Sequence, residues 1–90
     1  MANSEKKKYR VGGILAGKTL IIENGFLELK DVYSHNFRVP LQDISTVAVD
    51  SVGWGKGMLK IIGHGAELAK VKLPLTWANK AQGWILANKD

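Results

Sequence analysis

The sequence contains no cysteine. Disulfides, thiolate catalysis and cysteine-ligated zinc are thereby excluded together, and since small secreted domains usually depend on such staples, a reducing cytoplasmic setting is expected. Histidine occurs only twice, as His35 and His64. They fall in two different turns and neither has a histidine or cysteine nearby, so no metal site and no cofactor are expected. No apolar run approaches the roughly 20 residues that cross a bilayer. The apolar stretch Val11 to Ala16 follows a basic run and so mimics a leader, but it includes two glycines and Lys18 closes it. A leader core needs about 7 to 15 apolar residues, so no signal peptide is expected.

What remains is a chain of 90 residues, 46% hydrophobic and 23% charged. That is the composition of one folded domain, not of a disordered tail. A domain of this size buries roughly 60 to 65% of the surface of its extended chain, which leaves little room for a deep catalytic cavity beside a core. Binding or assembly is the expected kind of role. The net charge of +5 suggests nucleic acid or anionic lipid until it is divided along the chain. Lys6, Lys7, Lys8 and Arg10 against Glu5 put +3 in the first ten residues, and nine bases against seven acids leave the rest at +2. Residues 1–8 read as a disordered basic arm and residues 9–90 as a single domain.

The domain reads as strands. Thr19 to Glu23 and Phe26 to Lys30 flank Asn24 and Gly25, a pair that tolerates the two positive φ angles of a type I′ hairpin turn. A third strand is predicted from about Asn36 to Leu41, with Phe37, Val39 and Leu41 inward and Pro40 limiting its pairing. Thr46 to Asp50, Met58 to Gly63 and about Glu67 to Leu73 alternate similarly, the last two joined at Gly63, His64 and Gly65. After Pro74 the period changes. Thr76 is the expected N-cap, and Trp77, Ala81, Trp84, Ile85 and Asn88 recur at helical spacing, so the tryptophans should dock the helix on the sheet.

Two constellations invite chemistry. Residues 12–19 satisfy G-x-x-x-x-G-K-[ST], with Val47 to Asp50 available as a magnesium strand. A phosphate loop, however, must leave a buried parallel strand and open a helix, whereas here a charged run precedes it and a hairpin strand follows. A glycine-rich lead-in or edge strand is the preferred reading. Ser34 beside His35 makes no oriented triad, and Asp31, Asp43 and Asp50 read as turn residues bonded to their own backbone. No enzymatic activity is expected.

The loop Val52, Gly53, Trp54, Gly55, Lys56 and Gly57 is the most informative surface feature, because alternating glycines display an indole and an amine between two strands. Either Trp54 is an interfacial anchor with Lys56 meeting an anionic group, or Trp54 folds back to cap the sheet. Lys6, Lys7, Lys8, Tyr9 and Arg10 form the one basic run containing an aromatic, a weak signal for nucleic acid. Lys70 and Lys72 alternate on one strand, where lysines protect an edge.

The chain resembles bacterial pleckstrin-homology-like (PH-like) domains. The resemblance rests on residues 17–22, on Gly25 and Phe26, and on Arg38 to Val47, a stretch similar to that family's strand, I-P-L-x-x-I-x-x-V, strand pattern. It covers about residues 17–89. It implies a mainly β fold, a bent antiparallel sheet or partial barrel of five to seven strands closed by one C-terminal helix, and a role in binding. Eukaryotic relatives often hold phosphoinositides in the loop between their first two strands; taken as that loop, Asn24-Gly25 has no lysine, so this property is not carried over. Some bacterial relatives assemble into rings. The chain looks short at its N-terminus for seven strands, which would leave an edge to pair with the arm or with another copy. The expected function is therefore a non-catalytic interaction module for self-association or protein binding. The alternative is peripheral binding to an anionic membrane, and less so nucleic acid, with Trp54, Lys56, Lys6, Lys7, Lys8 and Arg10 as contacts.

Overall fold

The computed structural model describes residues 6–11, 17–31 and 36–89. Strands β1 (Lys7–Val11), β2 (Lys18–Glu23), β3 (Phe26–Asp31) and β4 (Phe37–Pro40) form one antiparallel sheet in that order. A 3-10 turn (Leu41–Asp43) leads to a second antiparallel sheet of β5 (Thr46–Ser51), β6 (Lys56–Gly63) and β7 (Ala66–Pro74). Helix α1 (Leu75–Asn88) follows. The two sheets do not close into a barrel. This is the expected mainly β arrangement with a closing C-terminal helix.

The strand count corrects one expectation. Lys7 and Lys8 are not part of a free arm: they pair with Ile22 and Ile21 in β1, so the described residues contain seven strands. The segment KKYRV folds because Tyr9 packs against the core and Val11 is buried, while Lys8 and Arg10 face water, the alternation of an edge strand. Its charge density hid this period. The connection between the first two strands is accordingly residues 12–17 and not Asn24-Gly25, which joins the second to the third. Residues 12–16 lie outside the described residues, as do Ser34 and His35.

The hairpin expected at Asn24 and Gly25 forms, with φ of 54° and 82° at the two turn residues. Pro40 ends β4, and the pattern that follows it has a packing logic: Val39, Ile44 and Val47 are buried, so core residues anchor the chain on both sides of the 3-10 turn that carries it from one sheet to the other. That core takes Leu20, Ile22, Leu27 and Leu29 from the first sheet, Leu59, Ile61 and Leu73 from the second, and Ala78, Ala81 and Ile85 from the helix. Thr76 is not the N-cap; it lies inside the first turn, and Pro74 occupies the cap position with no side-chain cap bond. The first helical amide is instead satisfied by a strand loop, Leu75 N–H donating to the Gly55 carbonyl at 2.7 Å.

Ile21, on the outer face of the first sheet, is nonetheless buried. Its cross-strand neighbours are Lys8 and Glu28, whose aliphatic stems can lie over it.

Two glycines make opposite predictions. A Cβ on Gly63 would overlap the Asp43 carbonyl oxygen, whereas a Cβ on Gly83 in the helix meets nothing. Gly63→Ala should cost about 3 kcal/mol in chemical denaturation. Gly83→Ala should add about 1 kcal/mol in the same measurement.

Candidate interaction site

The turn between β5 and β6 determines how the indole of Trp54 is presented. Gly53 and Gly55 adopt φ of 116° and 72°, values a β-carbon disfavours, so the chain reverses within a few residues and leaves Trp54 at the apex. Two backbone bonds lock the reversal, Lys56 N–H to the Gly53 carbonyl at 2.6 Å and Val52 N–H to the Lys56 carbonyl at 3.0 Å. The Leu75 to Gly55 bond ties it to the start of α1. At the base of the loop Gly57 is buried, and a Cβ there would stand 3.0 Å from Leu75 Cδ1 and 3.1 Å from Ala78 Cβ. The helix therefore rests directly on the strand that carries the tip.

Trp54 is 100% exposed, and of the two readings weighed for it the folded-back cap is overturned. The reason is competition for the core. Ala78, Ala81 and Ile85 fill the space above β6, and the other two indoles claim the remaining apolar seam. Tyr9 stacks on Trp84 with ring centroids 5.5 Å apart and meets Trp77 at 6.3 Å. Lys80 sits 4.8 Å above the Trp77 ring. The tryptophans of the helix thus dock it, as its periodicity predicts, although the deepest helix residues are two alanines and an isoleucine.

The charges around the tip are unevenly matched. On the outward face of the second sheet, Asp50 holds Lys60 at 2.7 Å and Glu67 approaches Lys70 at 3.9 Å. Lys56 and Lys72 are exposed and have no ion-pair partner among the described residues. With Leu73 and Pro74 they line a shallow recess of about 190 Å³. Lys56 was a sequence candidate; Lys72 was read only as an edge protector. Pairing of Lys56 with Pro74 and of Met58 with Lys72 sets the two amines diagonally across adjacent strands, a juxtaposition that needs the register and is invisible in sequence spacing.

The remaining candidates do not join this site. Lys6 approaches Glu23 at 4.0 Å, Lys7 is half-buried, and Lys8 and Arg10 project from the outer face of the other sheet. Of the three aspartates expected in turns, Asp43 lies in the 3-10 turn whereas Asp31 and Asp50 lie in strands, and each faces a basic side chain. Asp31, with its side chain 1% exposed, meets Lys18 at 3.4 Å, and Asp43 Oδ1 lies 3.2 Å from His64 Nε2. Strand register places Lys18 directly across from Asp31 and Lys60 diagonally from Asp50, while Asp43 and His64 meet from two turns. Of the phosphate-loop match, Lys18 and Thr19 open an antiparallel strand and not a helix, and residues 12–16 lie outside the described residues.

A larger open groove of about 460 Å³ lies at the opposite end of α1, between the Asn24-Gly25 turn, Pro40, Leu41 and Lys89. It contains no acid or histidine to act as a base. Among the described residues no three of His, Cys, Asp and Glu gather as a metal site. No helix among them is long and apolar enough to cross a membrane. The chain matches no family model, no curated protein and no solved structure. The geometry of the tip therefore carries the functional argument.

Two measurements test this geometry. Trp54→Ala should leave stability within about 0.5 kcal/mol of wild type, while Trp84→Ala should cost about 3 kcal/mol, both by denaturant titration. The hydrogen bond and charge of Asp50 raise the Lys60 pKa above its ordinary value. A raised folded-state value means a contribution present at neutral pH and lost only as pH climbs through the alkaline lysine range. Asp50→Asn should return the Lys60 titration to the ordinary lysine position, read by side-chain NMR.

Proposed function

We propose that the chain is a non-catalytic PH-like interaction module, working by surface contact through the Trp54 tip in a reducing cytoplasmic setting. The element order supports the PH-like reading: a four-stranded and a three-stranded antiparallel meander, then one closing helix. The absence of cysteine supports the setting. The observation that carries the function is the complete exposure of one indole on a turn locked by three backbone hydrogen bonds. A protein of this size has every energetic reason to bury a tryptophan, and this one holds it out on a rigid support.

Support for self-association shifts with the structure. The expected shortfall of strands, which would leave an edge for another copy, is not found: the described residues contain seven. What supports a second copy or another protein as the contact is now the tip, with Val52, 45% exposed, two residues from Trp54.

The test compares wild type with Trp54→Ala in two series: light scattering across protein concentration, which reads a second copy, and co-sedimentation with anionic vesicles. The reading expects binding that needs Trp54 in at least one series, with unchanged melting of the variant. Absence of Trp54-dependent binding in both would overturn it.

A further inference from the structure

Resting on the reading of the Trp54 tip as the contact element, we infer that its partner is the interface of an anionic lipid bilayer, with Trp54 inserted at headgroup depth and Lys56 and Lys72 holding one anionic headgroup between them. Four features converge. The first is the smallness of the apolar contact. Only four large apolar side chains are exposed among the described residues, and of these only Val52 and Trp54 adjoin. A stable protein interface needs about 800 Å² per partner around clustered anchors, whereas a bilayer interface accepts a single projecting indole.

Charge is the second feature. Lys56 and Lys72 are the unneutralised amines of the outward face, and they stand beside the recess formed with Leu73 and Pro74. A recess lined by two amines, a leucine and a proline suits a compact anion whose other end is hydrocarbon. Third, the start of α1 is bonded to the tip and its first turn contains no acid, so the positive end of the helix dipole adds to the same potential. Fourth, the Gly53 and Gly55 carbonyls at the apex already accept from the Lys56 and Leu75 amides, which lowers the cost of moving those two groups out of water. The basic residues Lys8 and Arg10 lie on the other sheet and are not part of this site.

The experiment uses the full chain with vesicles of phosphatidylcholine plus phosphatidylserine, against vesicles of phosphatidylcholine alone. Binding is expected on the anionic vesicles only and should fade with added salt. Tryptophan emission should shift to the blue on binding, and the shift should be absent in Trp54→Ala, since Trp77 and Trp84 are already packed. Lys56→Ala and Lys72→Ala should each weaken binding about fivefold, as expected for one lysine near an anionic surface. Asp50→Asn, which frees Lys60, should tighten it. No binding to anionic vesicles, or binding unaltered by Trp54→Ala and by the two lysine variants, overturns the lipid assignment. If vesicles fail while light scattering shows Trp54-dependent association, the lipid inference falls and the contact reading of the tip stands.

Discussion

The structure depends on the docking of α1. Two sheets that do not close on each other leave an open seam, and the helix covers it by contacting β1 and all three strands of the second sheet. Small residues make the approach possible: Ala78 and Ala81 on the helix and Gly57 on β6 bring backbones close, while Ile85 supplies bulk where the seam is deeper. A free 14-residue helix is marginal in water, so its stability comes from this contact. The aromatic group of Tyr9, Trp77 and Trp84 then fastens the first strand to the last element, tying the two ends of the domain together.

The same docking defines where function can reside. With the seam filled, Trp54 has no inner position to occupy, and the bond from Leu75 to the Gly55 carbonyl turns the loop into an extension of the helix start. Burying an indole is worth roughly 4 to 6 kcal/mol by area, using about 150 to 250 Å² at about 25 cal/mol per Å². A small domain that leaves this unused while fixing the loop by hydrogen bonds is organised around presenting the side chain.

Most of the fold was legible because the deciding signals are local. Asn24-Gly25, the period-two runs and the change of period after Pro74 each specify an element within a few residues. The first strand was not, since Lys7, Lys8 and Arg10 overwhelm Tyr9 and Val11 in any reading by composition, and only pairing with β2 shows that the charges face outward. The cap at Thr76 differs for a related reason: a carbonyl from a distant loop holds the Leu75 amide and the helix starts there, which places Thr76 inside its first turn. Local chemistry identifies candidates, and tertiary contacts choose among them.

The candidate site divides along the same line. Trp54 and Lys56 stand out in sequence because glycines isolate them, whereas whether the indole faces water depends on volume elsewhere in the core. Lys72 becomes a neighbour of Lys56 only through the register of β6 and β7. The positive charge of the chain follows a parallel course. Divided by sequence, it concentrates in the first ten residues; divided by partner, much of it is cancelled, as Lys6, Lys18, Arg38, Lys60 and Lys70 each face an acid. Net charge sets the sign of long-range attraction, but docking depends on the amines left without a partner. Beside the one fully exposed indole, those are Lys56 and Lys72, so a surface that draws the protein by charge would meet the tryptophan at the same place.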